Sequence, residues 1–319
     1  MSLLEVQNLS ITFNTKKGAI TPVREMTFSL EKGESLGVVG ESGCGKSLTN
    51  LAIMGLLPSN AIVKADVLRF DGIDLLNLKK KEWQKIRGMR MSMIFQDPMT
   101  SLNPSFTVGF QIEETLKIHR TDLNKQARQQ RMVELFDLVG IPDPKRRLQQ
   151  YPHEMSGGMN QRVMIAMCMA CDPELLIADE PTTALDVTIQ DQILTLLKDL
   201  QRERNMAMIL VTHDLGVVAQ NTDRLQVMYA GEIVETGKTQ SIVSHPRHPY
   251  TVGLLNSHAG HDHPFRSPLS SIKGLVPDLY NRPIGCQFAP RCDRVQKTCE
   301  TTHPLLKENL RCPIAGESK

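Results

Sequence analysis

Gly40-Glu41-Ser42-Gly43-Cys44-Gly45-Lys46-Ser47 decides how this chain folds. The spacing is G-x-x-x-x-G-K-S, a phosphate-binding loop, and its flanks supply the strand–loop–helix context that the motif needs. Before it, Ser35-Leu36-Gly37-Val38-Val39 is a short apolar run of buried-strand type; after it, Leu48 to Leu57 reads as a helix. Glycines let backbone N–H groups close around phosphate oxygens, and the helix N-terminus adds partial positive charge. Gly40, Ser42, Gly43, Cys44 and Gly45 form the cradle, Lys46 reaches the β- and γ-phosphates, and the Ser47 hydroxyl holds Mg²⁺. A chance glycine-rich turn needs neither flank. The stretch predicts binding of a nucleoside triphosphate.

Working outward, residues 3–13 and 19–31 have strand-like patterns, with Lys32-Gly33-Glu34 as the turn into the loop's strand. Phe13, before the polar turn Asn14 to Gly18, suits a strand core better than a nucleobase on spacing alone. Strand patterns surround Asp71-Gly72, a helix is expected through Lys79-Lys80-Lys81 to Arg87, and Met91 to Phe95 is a strand that delivers Gln96-Asp97-Pro98 to a loop. Residues 106–170 are helical in composition, punctuated by Pro142 and Pro144. Leu175 to Ala178 is another buried strand, Val187 to Arg204 a helix, and Ala207 to Val211 a further strand. Strands alternating with helices in this way predict a parallel, helix-covered sheet.

The chain has 319 residues, which suggests about two domains. Its formal charge of +2 implies neither nucleic acid nor an acidic substrate. No apolar run approaches the roughly 20 residues of a membrane helix, and the first residues lack a signal-peptide pattern. A cytosolic location is expected, with the seven cysteines as thiols or metal ligands rather than disulfides.

Several polar residues accompany the loop. Asp179, ending an apolar strand, suits Mg²⁺, and Glu180 beside it suits a general base for an attacking water. Gln96 can sense metal and γ-phosphate, and His213 can hydrogen-bond the same phosphate. Each has an ordinary structural explanation singly; their joint order around a phosphate loop argues for catalysis. Ser156-Gly157-Gly158, opening a helix, makes a second anion site, too far along the chain to serve Lys46 directly.

At Ser156-Gly157-Gly158-Met159-Asn160-Gln161 the chain resembles the ATP-binding cassette (ABC) family, over roughly residues 3–255. The resemblance makes Ser156-Gly157-Gly158 the signature, Leu175–Glu180 Walker B, Ala184-Leu185-Asp186 the D-loop, Gln96 the Q-loop (a Mg²⁺ neighbour) and His213 the switch histidine. It also turns Phe13 into an adenine-stacking aromatic and Asp186 into a nucleotide-site residue. Met159 departs from the family's usual glutamine; backbone amides and Ser156 supply most of the phosphate contact. The implied fold is α/β: a P-loop NTPase core of ABC type, with a helical subdomain inserted at about 100–170 and a small cysteine-containing C-terminal tail domain. Two cassettes would pack head to tail, each signature meeting ATP on the other's phosphate loop.

Phe95 to Pro104, Tyr151-Pro152-His153-Glu154 and His245 to Thr251 further resemble the ATPase subunits of dipeptide and oligopeptide importers; Asp66, where these commonly carry glycine, is a departure. The resemblance implies a second ATPase subunit, identical or related, two membrane permease subunits, and indirectly an extracytoplasmic binding protein. It places the chain on the cytoplasmic face of a bacterial plasma membrane. Nickel or another small solute is the alternative cargo. A DNA-repair or chromosome ATPase would carry a long coiled coil between Gln96 and the signature, and a translation-type ATPase would carry two cassettes; neither is present.

Residues 256–271 read as a linker, in which His258, His261 and His263 could coordinate a metal but in a polar loop are more often solvated, and 272–319 reads as a separate cysteine-rich segment. Cys286, Cys292, Cys299 and Cys312 can bind zinc or a [4Fe–4S] cluster; the pairs two to four apart that are usual for zinc are lacking. The segment is so poor in apolar residues that a metal staple is expected to hold it. Gly285-Cys286-Gln287-Phe288-Ala289-Pro290-Arg291-Cys292 resembles the tail of peptide-importer ATPases, some of which hold a [4Fe–4S] cluster. That leads to a structural or partner-binding role far from the phosphate loop, or alternatively a redox sensor. Cys44, near a helix N-terminus, is a candidate for a lowered pKa or merely a small residue that fits the loop; Cys168 and Cys171 read as buried helix positions.

Overall fold

A computed structural model describes residues 2–96, 101–183, 185–257 and 272–314. Asp97, Pro98, Met99 and Thr100 of the Gln96 loop, Ala184 of the D-loop, and the linker histidines His258, His261 and His263 lie outside the described residues. The chain divides into two compact units. One comprises Glu31–Glu34 and Asn77–Val211; the other comprises Ser2–Leu30, Ser35–Leu76 and Thr212–Lys319.

In the first unit, strand Leu175–Asp179 lies between Met91–Ile94 and Ala207–Thr212, parallel to both. Every residue of the three strands is buried, so both faces are covered and the sequence shows continuous apolar runs without alternation. Helices Val108–His119, Lys125–Leu138, Gly157–Cys168 and Val187–Glu203 belong to this unit. Thr107 and Asn124 cap the first two by accepting from Phe110 N and Ala127 N, each satisfying an orphan donor. The short helix Lys80–Trp83 stops well before Arg87, where the sequence suggested that it would end.

The second unit contains an antiparallel hairpin, Leu4–Thr15 with Gly18–Leu30, extended by Ala61–Lys64, Val67–Phe70 and Ile73–Asp74. Strand Ser35–Val39, which feeds the phosphate loop, runs parallel to Arg224–Tyr229, and Glu232–Lys238 pairs antiparallel on the far side. A Cβ on Gly37 would stand 2.0 Å from Val218 Cγ1, so only glycine lets the helix Leu215–Asn221 lie this close to the strand. The helix after the phosphate loop is Lys46–Ile53, shorter than its apolar pattern, because Gly55 at φ 59° ends it.

Contrary to the expectation from composition, backbone pairing, side-chain hydrogen bonds and apolar packing hold the tail. Arg311 N donates to Val234 O (2.8 Å) and Thr236 N to Asn309 O (2.9 Å), so the tail pairs briefly with strand Glu232–Lys238. Arg282 donates to Ala230 O and Thr21 O, and His303 Nε2 lies 3.0 Å from both Glu232 carboxylate oxygens. Phe288 enters a core cluster with Val227, Tyr229, Val234 and Tyr250. Burial of one such ring contributes about 1.5–3 kcal/mol.

Candidate functional site

The phosphate loop lies in the second unit, and its backbone shows why its glycines are required. Gly40, Gly43 and Gly45 have φ of 158°, 77° and 100°. A Cβ on Gly40 would stand 2.2 Å from Met228 O, and one on Gly45 2.9 Å from Val23 Cγ2. The loop is pinned to the neighbouring turn by Gly231 N donating to Cys44 O (3.0 Å). Gly45 occupies the N-cap of helix Lys46–Ile53, where the helix's first N–H groups face an incoming anion.

Lys46 is 5% exposed, and its ammonium donates to Gly40 O (2.7 Å) and Glu41 O (3.2 Å). The cation is therefore held on the loop's own carbonyls, at the mouth of the cradle. Ser42 and Gly43 are exposed and Ser47 half-buried. Cys44 is buried at 1%, and burial pushes its thiol up, outweighing the pull of Lys46. This corrects the reading of Cys44 as a candidate low-pKa thiol and favours its alternative, a small side chain that fits: desolvation exceeds the pull of Lys46 and of the backbone amides.

Elsewhere in that unit, Phe13 is a half-buried residue of the hairpin, opposite Ile20 and Ala61. His213 is exposed and follows strand Ala207–Thr212, just before Asp214, which caps helix Leu215–Asn221 by accepting from Val217 N.

The first unit gathers the acidic residues. Asp179 ends its strand at 4% exposure, and Glu180 follows with φ 48°. A side chain of this size in the left-handed region is uncommon and strained. Glu180 N still donates to Val211 O (2.9 Å), which locks the turn. Its Oε2 accepts from Gln96 Nε2 (3.2 Å) and from Thr183 Oγ1 (3.1 Å). Gln96 is exposed, so the carboxylate is oriented at a solvent-facing edge.

Ser156 is the N-cap of helix Gly157–Cys168, its hydroxyl accepting from Met159 N, and it is exposed like Gly157. A Cβ on Gly158 would meet Ile189 Cγ2 at 2.9 Å. Gln161, fully buried in the same helix, donates to Pro181 O (2.5 Å), tying the signature helix to the segment after Glu180. Asp186 is exposed and caps helix Val187–Glu203 by accepting from Ile189 N (3.0 Å).

A buried strand into a glycine cradle with its lysine, and a second strand ending in paired carboxylates beside a glutamine, match a known set of proteins. A family model described as "ABC transporter" matches residues 23–183, half of the chain. The chain belongs to the ABC transporter family. A second model, "Oligopeptide/dipeptide transporter, C-terminal region", matches residues 234–299 of this cassette protein. The cassette is 52% identical to the dipeptide transport ATP-binding protein DppD of Haemophilus influenzae, over 96% of this chain and 92% of the other. It is 53% identical to the oligopeptide transport ATP-binding protein OppD of Bacillus subtilis, over 96% and 86%. A solved dimeric bacterial ABC transporter cassette superposes with a TM-score of 0.66 at 28% identity, covering 74% of this chain and 98% of that one. No described helix is long and apolar enough to cross a membrane.

In the tail, Cys286, Cys292, Cys299 and Cys312 line one small cavity, walled also by His248, Pro249, Phe288, Ala289, Pro313 and Ile314. Burial pushes the Cys286 thiol up to about 11, helped by Cys312 and Cys299, and raises that of Cys292. Among the described residues, however, no group of three or more His, Cys, Asp or Glu stands at metal-holding geometry. The expected metal ligation thus narrows to a convergence of four thiols on an apolar box. Protonated thiols pack by contact, whereas ligation requires them to deprotonate around a cation.

Sequence reasoning missed three residues around the site. Thr183 braces Glu180, while Tyr250 and Arg291 both hold Glu41 of the phosphate loop. The last two fall within stretches already singled out by resemblance, but no spacing rule links positions 209 or 250 apart.

Proposed function

We propose that this chain is the ATP-hydrolysing subunit that powers import of peptides through a membrane ABC transporter. The observation that carries the reading is about 50% identity, along nearly the whole length, to ATP-binding proteins of dipeptide and oligopeptide transport. Lys46 and the amides of Gly43 to Ser47 bind the triphosphate, and Phe13 stacks on the adenine. Ser47, Asp179 and Gln96 would hold Mg²⁺, which neutralises charge on the β- and γ-phosphates when bound. Ser47 offers a hydroxyl and Asp179 a carboxylate, each a hard oxygen donor of the kind this ion takes.

Glu180 is the general base. A carboxylate fixed by Gln96 and Thr183 loses little orientational freedom when it takes a proton from the attacking water. His213 donates to the γ-phosphate. Ser156, Gly157 and Gly158, with Asp186, act on nucleotide held by a second ATPase subunit, so hydrolysis needs a closed pair. Two permease subunits dock near Gln96 and residues 101–104, an extracytoplasmic binding protein delivers the peptide, and the chain works peripherally at the cytoplasmic face of the membrane.

The finer reading of the tail is a [4Fe–4S] cluster on Cys286, Cys292, Cys299 and Cys312, with zinc as the alternative. The support is the convergence of the four thiols on one small apolar cavity, and a cluster bound there would cross-link the segment. The whole reading is tested by reconstituting the chain with its ATPase and permease partners in vesicles. ATP-dependent uptake of dipeptides or oligopeptides is expected; ATPase activity with uptake of nickel but no peptide would reassign the cargo.

A further inference from the structure

Glu41 of the phosphate loop is held at three points. Its amide donates to Tyr250 Oη at 2.9 Å. Its carboxylate receives a two-pronged guanidinium, with Arg291 Nη1 at 2.7 Å from Oε2 and Nη2 at 3.0 Å from Oε1. Its carbonyl accepts from Lys46 Nζ at 3.2 Å. Two of these holds come from outside the loop.

The guanidinium is fixed on every side. Arg291 is 5% exposed in its side chain. Its Nε donates to Lys273 O (2.9 Å), its Nη2 also reaches Ile272 O (3.3 Å), and its Nη1 reaches Tyr229 Oη (3.3 Å). Planar, fully bonded forks of this kind combine charge with a set direction. Arg291 closes the turn Ala289–Arg291 and directly precedes Cys292. Phe288, just before that turn, packs on Tyr229 and Tyr250 with ring centroids at 5.2 and 5.4 Å. Cys286 and Cys292 lie against the same apolar cluster. One outside hold on Glu41 therefore comes from the cysteine segment itself, and the other from a tyrosine on which Phe288 of that segment packs. The sequence reading had set that segment far from the phosphate loop.

We propose that Arg291 is a positioning residue for nucleotide binding, through which the C-terminal cysteine segment sets the affinity of the phosphate loop. The inference rests on the reading of that loop as the ATP site. Two effects act in the same direction. An unpaired Glu41 carboxylate, in the loop that receives a polyphosphate, repels the ligand. A released Glu41 also frees the carbonyl that orients Lys46, so the cradle loses its set shape and binding must restore it. Neither effect touches Glu180 or its hydrogen bonds. The expected signature is a change in affinity with turnover at saturation preserved.

The experiment uses the full chain with Mg-ATP as the probe, measuring binding and, with the partner subunits, KM and kcat. Arg291→Met should raise Kd and KM by roughly tenfold, within the range usual for coupled sites, with kcat at saturating ATP unchanged. Arg291→Lys should fall between, since it keeps the charge and loses the fork. Adding Glu41→Gln to Arg291→Met should restore much of the affinity, because the unpaired charge is gone; a tail that had merely lost its structure would not be rescued. If Arg291→Met does not fold, Arg291→Lys with and without Glu41→Gln carries the same comparison. Unchanged binding in the Arg291 variants, or no rescue by Glu41→Gln, overturns the proposal. Lys46→Ala serves as the control: if it binds ATP as tightly as the parent, the ATP reading of the loop fails instead.

Discussion

Gln96 and Glu180, 84 positions apart in sequence, are joined side chain to side chain, the Gln96 amide donating to the Glu180 carboxylate at 3.2 Å. The contact lies within one compact unit, and Thr183 Oγ1 donates to the same carboxylate oxygen. A candidate base is thereby aimed by a residue in the loop proposed to meet the membrane subunits. Movement of that loop would change the aim of the base.

Replacing Gln96 with Ala should lower kcat more than it weakens Mg-ATP binding, since Glu180 loses an orienting donor while Ser47 and Asp179 remain for the ion. Misplacement of a reacting group costs up to about 10²-fold, and Thr183 remains to limit the loss. Steady-state ATPase kinetics beside nucleotide binding check this split; a pure rise in KM would place Gln96 in ground-state binding.

Lys46→Ala should behave oppositely. It removes a cation from the phosphates, so nucleotide affinity itself falls, and activity with it. Equilibrium titration with Mg-ATP measures the effect.

Docking on permease subunits should depend on the segment after Gln96. Ser101 and Asn103 are exposed on either side of buried Leu102, and the Gln111 side chain fixes the Asn103 backbone by bonding both its N and its O. A charged residue at Ser101 or Asn103 therefore changes the surface while the loop keeps its anchors. Peptide uptake in reconstituted vesicles should be lost while the isolated subunit still binds ATP. Unimpaired uptake would move the contact elsewhere.

Anaerobically purified protein should be brown and hold about four irons per chain, the content of one [4Fe–4S] cluster. Cys292→Ser should bleach it and open residues 272–314 to protease. ATP affinity should fall as well, because Arg291 is the preceding residue. Stoichiometric zinc without iron, in protein from its own host, would convert the site to zinc; neither metal would contradict ligation by these cysteines.

The parts of the fold legible in the sequence were those set by local chemistry. Strands Leu175–Asp179 and Ala207–Thr212 were visible as apolar runs because both their faces are buried. The phosphate loop was visible because Gly40 and Gly45 occupy backbone space denied to other residues. Helix Lys46–Ile53 was read too long because the apolar pattern continues past Gly55, whose positive φ stops the helix. The Arg291–Glu41 pair was not legible, since it depends on Phe288 entering a core made by Tyr229 and Tyr250. The upward shift of Cys44 likewise depends on burial, which a loop motif does not show.

Glu180→Gln removes the proposed base of ATP hydrolysis. The amide keeps the shape of the side chain and cannot take the proton. Nucleotide affinity and single-site turnover should be measured together, with the assembled ATPase pair. Intact ATP binding, a trapped closed dimer and turnover reduced by roughly 10²–10⁴-fold are expected. Hydrolysis at the parent rate in Glu180→Gln would contradict Glu180 as the base.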